Sequence, residues 1–190
     1  MSSEIRILRG IFEGKTIKAL RGKKYRPTME QARTSLFNSL GDKIIDSYFL
    51  DLFSGSGIIG FEALSLGAKK VVFVENYLPA VIMLKNNVKS LGVEEKIEIF
   101  FQDVFSFLKK NFHEKFDIIF MDPPYSYGKK IDEILGLLEE KLWIKEKGIV
   151  IVEHHKKVKL QNRFKVLELY DIKNFGETFF SYYMRKNENV

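Results

Sequence analysis

A chain of 190 residues, 45% hydrophobic and 29% charged, is one domain's worth of ordinary globular protein and is long enough to bury a full core. It has no cysteine and only three histidines, which removes disulfides and thiolate metal sites, and no metal is expected. The formal net charge is +6, and all of it lies in residues 1–45, where ten Lys and Arg stand against four acids.

A basic excess confined to one arm, beside a neutral body, points to a polyanion and most simply to nucleic acid phosphate. The first residues lack the apolar stretch of a secretory signal, and no apolar run approaches the ~18 residues of a membrane span, so a cytoplasmic protein is expected.

From Ile5 to Leu20 the residues alternate loosely around Gly10 and Phe12-Glu13-Gly14, which predicts a β-hairpin carrying Arg6, Arg9, Lys15 and Lys18. A basic loop follows, with Lys23, Lys24, Tyr25 and Arg26. Thr28 and Gln31 form a capping box for a helix from about Met29 to Leu40, whose stripe is Ala32 or Arg33, Leu36, Phe37 and Leu40. The candidate nucleic-acid contacts of this arm are Arg9, Lys15, Lys23, Lys24, Arg26 and Arg33.

From residue 46 the pattern alternates strand and helix, which argues for a parallel sheet covered on both faces. The strands read Tyr48–Phe53, Val71–Glu75, Lys96–Phe101, Phe116–Met121 and Gly148–Glu153. The helices read Ile58–Leu66, Pro79–Leu91, Val104–Phe112 and Lys130–Leu142. Two long strands, Phe164–Ile172 and Thr178–Arg185, then form an antiparallel pair. The expected organisation is a single domain over 1–190, with a basic extension (1–45) on a catalytic core (46–190).

The first of these strands runs into Asp51-Leu52-Phe53-Ser54-Gly55-Ser56-Gly57 and out into a helix. Gly55 and Gly57 let the backbone turn sharply and let a ligand approach its amides, at the positive end of the helix. Gly55-x-Gly57-x-x-Gly60 also matches the dinucleotide fingerprint, with Glu75 twenty residues beyond Gly55 and suited to a ribose. Asp51 separates the candidate cofactors. Its charge would oppose the pyrophosphate of NAD, whereas S-adenosylmethionine brings an ammonium and a sulfonium. Asp103 and the apolar Val104 suit the amine and ring of an adenine. Four successive strand ends therefore carry one carboxylate each: Asp51, Glu75, Asp103 and Asp122.

Asp122-Pro123-Pro124-Tyr125 is the most specific signal. Proline after Asp122 holds that residue extended, and the fixed φ of both prolines sets where their carbonyls point. Asp122 and the Pro123 carbonyl form a rigid acceptor pair for an exocyclic NH₂, and Tyr125 offers a stacking face for the ring that carries it. Fixed acceptors on both N–H groups turn the amine lone pair toward a methyl donor.

Together these segments resemble the amino-group-directed S-adenosylmethionine methyltransferases. The whole chain resembles, more narrowly, the bacterial small-subunit (16S) ribosomal RNA guanine-N2 methyltransferase family. The likeness lies in Arg9-Gly10 with Gly14-Lys15, Arg26-Pro27-Thr28, Arg33-x-x-Leu36-Phe37-Asn38, Leu50 through Gly57, Gly60-x-Glu62-Ala63-Leu64, Val74-Glu75, Asp122-Pro-Pro-Tyr125 and Gly176-x-Thr178. The resemblance implies a Rossmann-like seven-stranded sheet of order 3-2-1-4-5-7-6 with the last strand antiparallel. It also implies a guanine in a small ribosomal subunit as target and a monomeric enzyme. Asp51, Phe53, Gly55, Ser56, Gly57, Glu75, Asn76, Asp103 and Val104 would hold the cofactor, with Asn76 standing where many relatives carry Asp. Asp122, Pro123 and Tyr125 would act on the base. An adenine-N6 methyltransferase and, more distantly, an NAD-dependent oxidoreductase are the competing readings.

Overall fold

Strand–helix alternation produces the sheet that the hydropathy pattern predicts. The computed structural model describes residues 2–20, 30–110 and 114–186. The basic loop with Lys23, Lys24 and Arg26, the Thr28 half of the capping box, and Phe112 lie outside the described residues.

The arm comprises β1 (Ser2–Arg6) and β2 (Thr16–Leu20), an antiparallel pair, and α1 (Glu30–Leu40). The body runs β3 (Tyr48–Leu52), α2 (Ile58–Ser65), β4 (Lys70–Glu75), α3 (Leu78–Leu91), β5 (Ile97–Phe101), α4 (Val104–Leu108), β6 (Phe116–Met121) and α5 (Lys130–Glu140). It ends with β7 (Ile144–His155), β8 (Leu167–Phe175) and β9 (Thr178–Arg185). The seven-stranded sheet has the order β5-β4-β3-β6-β7-β9-β8, and β9 alone runs against its neighbours. Numbered from β3, that is the 3-2-1-4-5-7-6 order expected. Among the described residues no helix is long and apolar enough to cross a membrane.

Strand periodicity divides the core in two. Phe49, Val71, Phe73, Ile118, Phe120 and Ile151 point to the face covered by the arm, α2 and α3. Leu50, Val72, Val74, Ile119, Met121 and Val152 point to the face covered by α4, α5 and Trp143.

The arm is part of the first core. Ile5, Ile7, Ile17 and Ala19 are buried in it, each isoleucine contributing about 1.5–3 kcal/mol by burial. Polar bonds fix the docking. Asn87 of α3 exchanges two hydrogen bonds with the Lys18 backbone, both 2.9 Å, and the amides of Ile11 and Phe12 donate to Ser65 of α2. Gly10 allows that approach, since a Cβ there would lie 2.0 Å from the Ser65 carbonyl oxygen.

Several boundaries differ from expectation; the strand expected over Phe164–Ile172, for one, runs Leu167–Phe175. The helix expected over Val104–Phe112 has only five residues in regular α form, and the Leu108 carbonyl accepts the Trp143 indole N–H at 3.1 Å. The helix expected to reach Leu142 stops at Glu140. The fifth sheet strand starts at Ile144 because its pairing with β6 crosses a bulge between Phe116 and Ile118. Around that irregularity Lys147 takes φ +59° and Gly148 closes against the Ile144 side chain.

Candidate active site

The glycine loop between β3 and α2 is held from both sides. Ser54 Oγ donates toward the Asp51 carbonyl (2.6 Å) and accepts from the Val74 amide (3.0 Å), which staples the loop to β4. Gly57 adopts φ +77° at the start of α2, where a Cβ would be 2.4 Å from Leu84. Phe53 has φ +59°, a left-handed backbone that costs a bulky residue of order 1 kcal/mol.

Sheet register places the acids. Asp51 is in register with Phe73 of β4 and Phe120 of β6, and Phe120 with Ile151 of β7. Two residues further along β4, β6 and β7, on the same face, come Glu75, Asp122 and Glu153. Asp51 thus lies one row beneath a rim of carboxylates.

Asp51 is 1% exposed, and its Oδ2 accepts the Gly60 amide at 3.2 Å in the first turn of α2. Burial drives its carboxyl well above the ordinary range, the Gly60 bond opposes this, and the charges of Asp122 and Glu75 push it further up. Glu75 is ordered by three amides: Gly55 at 2.9 Å on one oxygen, Asn76 at 2.9 Å and Tyr77 at 2.8 Å on the other. Asp122 is half-buried, and desolvation pushes it up to about 7. Among the described residues no cation pairs with Asp51, Glu75 or Asp122.

These groups line one cavity of about 970 Å³. Ile5, Ala19 and Ala32 of the arm form one wall, and the β8–β9 turn from Asn174 to Thr178 forms another. Of the expected cofactor residues, Asp51, Phe53, Gly55, Ser56, Glu75 and Asn76 line it, as do Asp122, Pro123 and Tyr125. Gly57 lies behind the lining.

Asp103 and Val104 do not line this cavity. Asp103 caps α4 by accepting the Ser106 amide at 3.0 Å, and Val104 is 2% exposed within the second core. Phe105 and Tyr127 do not line the cavity either, but Tyr127 meets Phe53, which does. Tyr127 packs edge-on to Phe53 at 5.0 Å and stacks over Phe105 at 6.2 Å, and its hydroxyl feels the charges of Asp103 and Glu75.

Tyr125 is 64% exposed and meets the His155 ring edge-on at 5.9 Å. His155 Nε2 contacts Glu177 Oε2 at 3.0 Å, while the buried His154 bonds Ser181 Oγ at 2.8 Å. The two histidines serve different partners, as opposite-facing neighbours in a strand must.

Arg33 requires a correction. Expected as an RNA contact, it is 1% exposed, 3.4 Å from Glu62, with its guanidinium also reaching the Arg6 carbonyl. No phosphate can approach it there; it joins α1 to α2 and β1. Arg9 is half-exposed and donates to Asn38 (2.8 Å) and to the Thr34 carbonyl (3.2 Å), while Lys15 is exposed above the Phe12 ring. Ser54 and Tyr127 are site features that sequence reasoning does not single out. The turn Asn174-Phe175-Gly176-Glu177 is legible as the link between the last two strands, but not as a wall of the site.

A family model described as "Conserved hypothetical protein 95" matches residues 5–184. "Ribosomal RNA small subunit methyltransferase D" of Haemophilus influenzae is 37% identical over 155 residues, 80% of either chain. The protein of that name from Buchnera aphidicola is 36% identical over 82% of this chain and 81% of its own. The solved structure of Escherichia coli yhhF superposes with a TM-score of 0.86 at 28% identity, over 97% of this chain and 99% of that one. With its motifs, its strand order and these relatives, the chain belongs to the Conserved hypothetical protein 95 family, the family of the ribosomal RNA small subunit methyltransferase D proteins.

Proposed function

We propose that the protein methylates the exocyclic N2 amine of a guanine in small-subunit ribosomal RNA, with S-adenosylmethionine as methyl donor. The observation that carries this reading is the cluster of Asp51, Glu75 and Asp122 around one cavity, with the two aspartate carboxyls raised by burial and no cation beside the cluster among the described residues. A cationic cofactor relieves that cluster; the pyrophosphate of NAD aggravates it. When bound, S-adenosylmethionine supplies an electrophilic methyl on a sulfonium, which leaves as a neutral thioether.

The chain's residues do the rest. Glu75 and the glycine-loop amides hold the nucleoside, with the Phe53 ring beside it. Asp122 and the Pro123 carbonyl accept from the amine and aim its lone pair, and Tyr125 stacks on the flipped base. The amine nitrogen, once it has taken the methyl that the bound cofactor would supply, must lose one proton. Asp122, whose carboxyl burial raises and which accepts from that amine, is the group placed to take it.

We assign RNA docking to the basic arm, with Arg9, Lys15, Lys23, Lys24 and Arg26 on phosphates, and the whole chain to one catalytic unit. The substrate is an assembled or partly assembled subunit, and the enzyme a cytoplasmic monomer. Methyl-labelled S-adenosylmethionine, supplied in parallel with ribosomal subunits, naked ribosomal RNA, duplex DNA and protein, tests the reading once the labelled atom is mapped. Label on guanine N2 of the small-subunit RNA is expected; label on adenine N6, or none on RNA, overturns it.

A further inference from the structure

The Asp122 acceptor recognises an amine, and amines occur on guanine, adenine and cytosine alike. The choice among them must come from what flanks that acceptor. On guanine the N2 amine stands beside N1–H, a second donor. On adenine and cytosine the amine stands beside a bare ring nitrogen, an acceptor.

Glu153 is positioned to read that difference. Met121 of β6 is in register with Val152 of β7, so Asp122 and Glu153 follow side by side on adjacent parallel strands and share a face of the sheet. The strand separation of about 4.8 Å is on the scale of a purine's amine edge. Both residues line the cavity, and both are half-buried. The other rim acid is further away: Glu75 ends β4, two strands from β6 across β3, and Asp51 sits a row lower.

We propose that Glu153 is the guanine-selecting residue, its carboxylate accepting N1–H while Asp122 and Pro123 hold the N2 amine. The same carboxylate faces a lone pair when adenine or cytosine is offered, so it acts by repulsion as well as attraction. This inference rests on the guanine reading above and names the residue that enforces it.

The test uses 2-aminopurine, which keeps the N2 amine but has a bare N1. The full-length protein and Glu153→Gln are given S-adenosylmethionine and a small-subunit RNA fragment carrying either guanine or 2-aminopurine at the methylated position. A site built around a substrate N–H rejects the analogue that lacks it, so the wild type should prefer guanine by about a hundredfold or more. In Glu153→Gln the carboxamide can turn its N–H toward a bare N1, and the preference should fall below about tenfold. Glu153→Ala should lower guanine turnover without lowering that of 2-aminopurine. Calorimetric cofactor binding equal to the wild type checks that each variant is folded. A wild type that methylates no guanine overturns the guanine reading and this inference with it. A wild type that methylates guanine, with the guanine preference unchanged in both variants, overturns the role of Glu153 alone.

Discussion

The Gly55 amide donates to Glu75 Oε2 over 2.9 Å, so the glycine loop after β3 and the end of β4 are one hydrogen-bonded unit. The other Glu75 oxygen takes Asn76 and Tyr77, and the carboxylate is fixed before any ligand arrives. Glu75→Gln puts a donor against an amide and loses a bond to a charged acceptor, worth about 1.5–3 kcal/mol. Affinity for S-adenosylmethionine should fall about tenfold or more, and Gly55 amide hydrogen exchange should accelerate. Calorimetry and exchange measured together decide it; weak binding with unchanged Gly55 exchange would mean that Glu75 touches ligand without organising the loop.

Asp122 makes stability depend on pH in an unusual direction. Its carboxyl has an ordinary value of 3.8 and is pushed up to about 7 by burial in the folded protein. Between those values the folded state keeps a proton that the unfolded chain releases, so stability falls as pH rises from about 4 to about 7. Asp51 acts in the same sense. Asp122→Asn should therefore raise Tm more near pH 8 than near pH 5, and thermal scans at both values check it. An equal gain at both would show that the Asp122 carboxyl titrates normally.

Most of the sheet is legible in the sequence because strands buried on both faces read as apolar runs and their ends carry acids or glycine. Asp51, Glu75 and Asp122 are found that way. Glu153 ends the predicted fifth strand but escapes selection because His154-His155 follows it with no glycine or proline motif, and the strand in fact runs on to His155 to pair with β9. Arg33 is misread for a different reason. A helical stripe admits Ala32 or Arg33 equally, and a sequence does not reveal that Glu62, on another helix, neutralises a buried guanidinium. Tyr127 lies outside the tetrapeptide motif, and only the turn after Pro124, with the Tyr127 amide on the Pro124 carbonyl at 2.8 Å, swings it toward Phe53.

The Arg33–Glu62 pair yields a stability prediction that also separates folding from RNA binding. Arg33 Nε and Nη1 are buried without a hydrogen-bond acceptor, and burial raises the Glu62 carboxyl while Arg33 opposes that rise. Removing one member of a buried pair costs about 3–5 kcal/mol, whereas replacing both with apolar residues is often neutral. Glu62→Leu should lower Tm sharply, and Arg33→Met with Glu62→Leu should recover much of the loss. RNA affinity of the double variant should match the wild type. A recovered Tm with RNA binding abolished would restore Arg33 as an RNA-binding residue.

Charge reversal in the arm tests docking. Changing Lys15, Lys23, Lys24 and Arg26 to Glu should weaken RNA binding and flatten its salt dependence by about 0.7–0.9 in slope for every phosphate no longer neutralised. Cofactor affinity should not change if these charges serve RNA phosphates alone; Lys15, the one of the four among the described residues, does not line the cavity. Filter binding across a salt series gives the slope. An unaltered slope would make the arm's charge a solvated face and move docking elsewhere, for instance to the lysines that follow His155.

Asp122 and Tyr125 should separate chemistry from base capture. Asp122→Ala removes an acceptor whose hold on the amine strengthens as nitrogen becomes tetrahedral, so single-turnover methylation at saturating cofactor should fall by about a hundredfold or more. RNA affinity should change far less, because phosphates supply most of it. Tyr125 is different. Its ring is 64% exposed and meets His155 edge-on, which suits it to stack a flipped base. Tyr125→Ala removes a stacking surface worth roughly 1–3 kcal/mol per base and should loosen the base and slow methylation together. Tyr125→Phe keeps the ring and should stay within a fewfold of the wild type. If the phenylalanine variant fails as badly as the alanine variant, the hydroxyl and not the stacking face is what the reaction uses. Near-normal rates for Asp122→Ala would reduce the acceptor array to a rigid turn and leave proton removal to another group on the rim, with Glu153 the nearest in register.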